Sequence, residues 1–228
     1  MADASAKADK KFSGCVIHKI EGGMVKQNLL HKPPGLILAG GQSRRMGSDK
    51  ALLAFGGTTL LGHITARLRP QVTSLALNGP PELDSGLPRL PDSLTGHLGP
   101  LAGILAGLEA RLGPDATHVL TVPVDSPFFP ADLAARLADA LDGDETIAVA
   151  ASQGRDHPVF GLWPVALAND LRRFVLDDER RSIRGFLDRH NARIVEFAEL
   201  PSGLDPFFNV NTPEDFARAQ QFLERGMA

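Results

Sequence analysis

Leu36–Leu53 reads LILAGGQSRRMGSDKALL, an apolar run, a glycine pair and a cluster of cations in one short stretch. Leu36, Ile37 and Leu38 form a short aliphatic run of the kind that lies buried on both faces of a parallel sheet. The Gly40-Gly41 pair follows at once, so the backbone can come close to a ligand with no Cβ in the way. Arg44, Arg45 and Lys50 then gather positive charge onto the same short loop. A buried strand that runs into a glycine turn and then into cations is suited to hold a triphosphate, with backbone amides as further donors. It is not a P-loop, because the Gly-x4-Gly-Lys-Ser/Thr order is absent. The glycines do not have the spacing of a dinucleotide fingerprint either.

Outward from this stretch, apolar runs alternate with helical patterns. The spacing predicts strands at Gly35–Ala39, Ser74–Leu77, Thr117–Val122, Ile147–Ala151, Pro158–Trp163 and Arg193–Phe197. It predicts helices at Thr59–Leu68, Leu101–Leu112 and Ala131–Leu141, and shorter ones at Asn169–Phe174 and Ser182–His190. Pro100 suits a first helical turn and Gly113-Pro114 a helix stop. In the last helix Thr212 is the expected cap, Pro213 the first position, and Glu214 and Asp215 the acids that complement the dipole. The fold class expected is α/β, a three-layer, doubly wound and mostly parallel sheet. In such a sheet ligands bind beyond the carboxyl ends of the strands. Polar residues do stand there: the glycine-cation loop after the first run, Asn78 after SLAL, Asp92 after LPRL and Asp125 after LTVPV.

The 228-residue length suits one domain, expected at 33–228, with residues 1–32 as a flexible extension in which Met24 is an alternative start. The net charge of −3 gives no reason to expect nucleic-acid binding. The single cysteine, Cys15, leaves no internal disulfide and fits a reducing, cytoplasmic setting. No apolar run is long enough to span a bilayer, and MADASAKADK has no secretory apolar region. His18, His31, His63, His97, His118 and His190 lack metal-ligand spacing, and no G-x-S-x-G elbow is present.

The segment resembles the LAGGxSxRMGxDK loop of the molybdenum cofactor guanylyltransferases, the MobA family: Gly40, Gly41, Ser43, Arg45, Met46, Gly47, Asp49 and Lys50 all fall on that pattern. The resemblance extends from Gly35 to the last helix and implies a Rossmann-like nucleotidyltransferase that moves GMP from GTP to a molybdopterin-type acceptor. Charge develops on the α-phosphoryl oxygens and the leaving pyrophosphate, so fixed cations there stabilise the transition state more than the ground state. Arg45 can fork onto a β- or γ-phosphate, and Lys50 suits a point charge near the α-phosphate. Asp125, in VLTVPVDSPFFP, resembles the family's metal-binding aspartate and would hold Mg²⁺, which prefers hard oxygens shared with phosphates. Lys50, Arg45 and Asp125 are thus the expected catalytic residues. The nucleotide set is Leu38, Ala39, Gly40, Gly41, Arg45, Lys50, Asn78, Asp92 and Asp125.

In the resembling family Asn78 and Asp92 match residues that contact the guanosine, ahead of the Gly99–Gly103 segment. Asn209 and Asn211 of NVNTP, with Arg180-Arg181, match the acceptor side, and His157 lies in a matching GRDHPVF stretch without a general-base role. Each residue also has a plainer reading: a solvated cation beside Asp49, an Asx turn at Asp125, turn formers at Asn78 and Asp92, backbone caps at Asn209 and Asn211. Rival readings are a CTP-dependent transferase on the same cofactor, a sugar-phosphate nucleotidyltransferase, or a GTP-binding sensor without turnover. Ala39-Gly40-Gly41, where the rival transferases often read Ala-Ala-Gly, favours guanine. Transient contacts with proteins that make or insert the cofactor follow from the resemblance alone.

Overall fold

In the computed structural model, residues 19–20, 23–24, 32–40, 50–96, 98–178 and 180–226 are described. The chain divides into two units at Lys32. In the first, Lys19–Ile20 and Gly23–Met24 pair antiparallel, and Met24 is the alternative start; the rest of residues 1–31 lies outside the described residues.

The second unit is built on a seven-stranded sheet. Its strands are β1 (Gly35–Leu38), β2 (Leu75–Asn78), β3 (Arg89–Leu90), β4 (His118–Pro123), β5 (Ile147–Ser152), β6 (Arg155–Pro164) and β7 (Ala192–Glu196). Their spatial order is β7-β5-β6-β4-β1-β2-β3. Every neighbouring pair is parallel except those made by β6, which runs antiparallel between β5 and β4. The helices are α1 (Leu60–Leu68), α2 (Pro100–Ala110), α3 (Leu133–Asp139), α4 (Ala168–Asp177), α5 (Ile183–Leu187) and α6 (Pro213–Glu224). None of the described helices is long and apolar enough to cross a membrane.

The period-two alternation of strand side chains divides the core in two. Ile37, Leu77, Leu120 and Val122 pack under α1 and α3 with Ile64, Leu68, Leu133 and Leu137. Leu36, Leu38, Val119 and Trp163 pack on the other face under α2 and α4 with Leu101, Ile104, Leu105 and Leu171. With both faces covered, β1 is buried throughout, as its unbroken apolar run requires. A third cluster, of Phe55, Leu60, Phe128, Leu204, Val210 and Ala219, seats α6 beside the sheet.

Two details fix the carboxyl edge. β6 shifts register against β5 between His157 and Gly161. The buried Thr121 hydroxyl donates to the Val159 carbonyl at 2.7 Å and accepts from Trp163 Nε1 at 3.0 Å, so this irregularity leaves no orphaned group there. The capping box on α6 forms as its sequence predicts: Thr212 Oγ1 accepts from the Asp215 amide, and Asp215 Oδ2 accepts from the Thr212 amide.

Candidate active site

The strand order reverses between β1 and β4, because β2 and β3 lie on one side and β6, β5 and β7 on the other. A crevice opens at such a switch point, beyond the carboxyl ends of the two strands. Ala39 and Gly40 leave β1 there, and Val124 and Asp125 leave β4, with the Val124 amide donating to the Leu38 carbonyl at 3.0 Å.

Lys50 returns to this crevice in a short 3-10 turn, Lys50–Leu52, that leads through a small hairpin into α1. Its side chain is buried, and its ammonium lies 3.2 Å from Asp125 Oδ2 and 3.3 Å from Asn211 Oδ1. Asn209 Oδ1 accepts from the buried Ser126 hydroxyl, and the Val210 amide donates to the Asp125 carbonyl at 2.8 Å. Three distant parts of the chain therefore meet at one ammonium: the end of the cationic loop, the aspartate after β4 and the NVN segment. Asn209 and Asn211 are both exposed on either side of the buried Val210, as alternate residues of an extended segment are, although none of the three belongs to a strand.

A second polar group stands on the other side of β1. Asn78, the buried last residue of β2, donates through Nδ2 to Asp92 Oδ1 at 2.8 Å and to the Leu90 carbonyl at 3.0 Å. α2 comes unusually close to it. A Cβ on Gly103 would lie 2.4 Å from Asn78 Oδ1 and 2.8 Å from Leu38 Cδ2, so only glycine lets the helix sit there. Gly99, at φ 69°, gives the turn that starts α2, and Pro100 takes its first position.

Arg180 and Arg181 are placed differently from each other. Both amides donate to Asp178 Oδ1 at 3.0 Å in the turn after α4. Both residues are exposed, and Arg181 Nε donates to the Val175 carbonyl at 3.0 Å, so one edge of its guanidinium closes the end of α4. Gly41 and Arg45, with the rest of residues 41–49, lie outside the described residues.

A brace behind Asp125 is not apparent from the sequence. His63 Nε2 is 3.2 Å from the Pro127 carbonyl, and Arg67 donates to the carbonyls of Phe128, at 3.1 Å, and Phe129. Gln71 Nε2 reaches the Pro130 carbonyl at 3.1 Å while its Oε1 accepts from the Ala134 amide. Donors four residues apart on α1 and its extension thus satisfy four successive carbonyls of a loop that its two prolines keep out of regular structure. Burial pushes the His63 imidazole below its ordinary 6.5, partly offset by the Pro127 carbonyl.

Among the described residues no group of three or more His, Cys, Asp or Glu could hold a metal by itself. The fit for a hard divalent ion rests instead on Asp125 Oδ2 and Asn211 Oδ1, two oxygens that already share one cation, the Lys50 ammonium. Such an ion takes most of its remaining ligands from water and phosphate. A cavity of about 480 Å³ lies at the opposite end of the sheet, among Leu108, Arg111, Thr117, Asp144 and Asn169, and includes none of these residues.

Residues 35–194 match the MobA-like NTP transferase domain. The chain is 51% identical over 200 residues to a molybdenum cofactor guanylyltransferase of Rhizobium meliloti strain 1021, covering 84% of this chain and 92% of that one. Among solved structures it is similar to a protein from Mycobacterium sp. strain JC1, with TM-score 0.67 and 26% identity over 86% of this chain and 99% of that one. The Mycobacterium tuberculosis H37Rv protein of which that one is a homologue, solved in complex with manganese, shares the fold, with TM-score 0.61 and 21% identity over 83% and 98%.

Proposed function

The chain belongs to the MobA-like NTP transferase family, as an enzyme whose curated relatives are molybdenum cofactor guanylyltransferases, and we propose that it transfers GMP from GTP to the phosphate of molybdopterin, releasing pyrophosphate. The observation that carries this reading is the convergence of Lys50, Asp125 and Asn211 at the β1–β4 switch point.

Lys50 acts as the point charge on the α-phosphoryl group. Buried as it is, its charge is little screened, so it favours the transition state strongly. Arg45 supports the β- and γ-phosphates; the Ala39 amide donates to the Asn78 carbonyl at 2.7 Å, so among the described residues that follow β1 it is Gly40 whose amide suits them. Asp125, with the Asn211 carbonyl, holds a divalent metal, as the manganese complex of the mycobacterial protein suggests; we take it to be Mg²⁺, which would neutralise phosphate charge and orient in-line attack. An acceptor phosphate is already ionised, so no strong base is required.

Asn78 and Asp92 face the guanosine. A carboxylate opposite guanine N1–H and N2–H₂ discriminates against adenine, and the Asn78 amide fixes that carboxylate in place. On the acceptor side the carbonyls of Asn209 and Asn211 are already engaged, so their amide ends, together with exposed Arg180, are the donors suited to the acceptor. Arg181 contributes by holding the turn. We take the enzyme to work in the cytoplasm, beside proteins that supply and collect the cofactor.

Titration calorimetry with GTP, CTP and ATP, with and without Mg²⁺, tests the reading. GTP should bind tightest and need the metal for its full affinity. Tighter CTP binding would overturn the base assignment, and tight metal-free GTP binding without turnover would favour a sensor.

A further inference from the structure

Residues Asp205–Asn211 cross the carboxyl ends of the sheet as a strap. At its far end the strap meets Ser126, the Asp125 carbonyl and Lys50. Its near end is fastened to β5, on the far side of β6 from Asp125. Ser152, the fully buried last residue of β5, donates its hydroxyl to Asp205 Oδ1 at 2.7 Å and lies 2.8 Å from His157 Nε2. A hydroxyl has one hydrogen, and this one goes to the carboxylate. His157 must therefore be the Nε2–H tautomer, donating to Ser152 Oγ. Asp205 Oδ1 also accepts from the Phe207 amide at 2.9 Å, and the Asp205 carbonyl accepts from the Phe208 amide at 3.0 Å. These bonds turn the chain so that the Phe207 ring packs against His157, Phe160 and Phe197.

The imidazole, hydroxyl and carboxylate are in line, but they form no nucleophile, because Ser152 is sealed from solvent and its proton is committed. What the arrangement fixes is the point where the strap leaves β5, and so where its asparagines arrive. We propose that Asp205, held by Ser152 and His157, is a positioning residue for nucleotidyl transfer: it sets the strap so that Asn211 meets Lys50 beside Asp125. This rests on the transfer reaction proposed above.

Asparagine at position 205 keeps the Oδ1 acceptor for Ser152 and the Phe207 amide, whereas alanine removes it. In GTP-dependent pyrophosphate release, Asp205→Ala should lower kcat/KM by about ten- to a hundredfold, and Asp205→Asn should recover to within about threefold of wild type. Ser152→Ala should lose activity in the same direction but less, and it gives the readout if Asp205→Ala does not fold. The coupling separates positioning from general stabilisation. Added to Asn211→Ala, Asp205→Ala should cost little further activity while its drop in Tm remains additive. A full further loss of activity in the Asn211→Ala background, full activity in both single alanine variants, or an Asp205→Asn as impaired as the alanine would overturn the proposal. Absence of pyrophosphate release from the wild type overturns the transfer reading itself, and with it this role.

Discussion

The Lys50 ammonium lies 3.2 Å from the Asp125 carboxylate across 75 residues of sequence. That pair joins the two loops flanking the switch point, and its burial is unequal: the lysine side chain is 7% exposed and the aspartate 27%. Removing Asp125 strands a buried charge, so Asp125→Ala should cost about 1–3 kcal/mol of stability as well as activity. Lys50→Met removes the charge itself and should fold nearly as stably as wild type while losing at least about a hundredfold in kcat. Chemical denaturation and steady-state kinetics on both variants check this asymmetry; a Lys50→Met that keeps wild-type kcat would remove the lysine from the mechanism.

Gly103 is a sequence position at which α2 and the proposed base pocket can be uncoupled. A methyl group there would lie 2.4 Å from Asn78 Oδ1, so the asparagine must move away from Asp92. Gly103→Ala should raise KM for GTP about tenfold with a smaller change in kcat, in line with the cost of overpacking. An unchanged KM would place base recognition elsewhere.

The α1 brace predicts that Arg67 matters to Asp125 without touching substrate. Arg67→Met leaves the Phe128 and Phe129 carbonyls without their donors and should destabilise by about 1–3 kcal/mol. It should also raise the Mg²⁺ concentration needed for half-maximal activity. Denaturation and a metal titration measure the two effects; loss of stability with an unchanged metal requirement would limit the brace to folding.

Burial lowers the imidazoles of His63, His118, His157 and His190 below their ordinary 6.5. On acidification the unfolded chain therefore takes up these protons first. The stability they contribute is fully present above 6.5 and is lost as the pH falls through their lowered values. Asp142 acts at lower pH. Hydrogen bonds from Thr146, then Arg193, hold its carboxyl at about 2, so its contribution is present above 3.8 and is lost as the pH falls toward 2. Tm should fall steadily as the pH is lowered from 6.5, and a Tm that is flat from 6.5 down to 5 would contradict the assignment.

The sequence was most legible where burial enforces a period. Gly35–Leu38, Ile147–Ser152 and α2 lie within two residues of their expected bounds, because each buries an unbroken apolar run or helical stripe. The direction of β6 was not legible. It enters through a two-residue turn at Gln153 and Gly154, both at positive φ, and Gln-Gly lacks the Asn-Gly signature of such hairpins. His63, Arg67 and Gln71 have the spacing of a solvated helix face, since nothing local reveals that carbonyls 59 to 64 residues away will meet them. Asp205 carries only the signature of an Asx turn. Lys50 and Asp125 were legible because each directly follows a feature that the fold places at the carboxyl edge. The bond from Arg181 to the Val175 carbonyl was not legible, because it depends on how α4 ends.

Pyrophosphate release with molybdopterin as acceptor is the decisive measurement, with GTP and CTP compared in Mg²⁺ and repeated with Asp125→Ala and Lys50→Met. The site as described predicts release with GTP well above CTP, abolished in both variants. Release that persists in both, or that follows CTP instead, would contradict it.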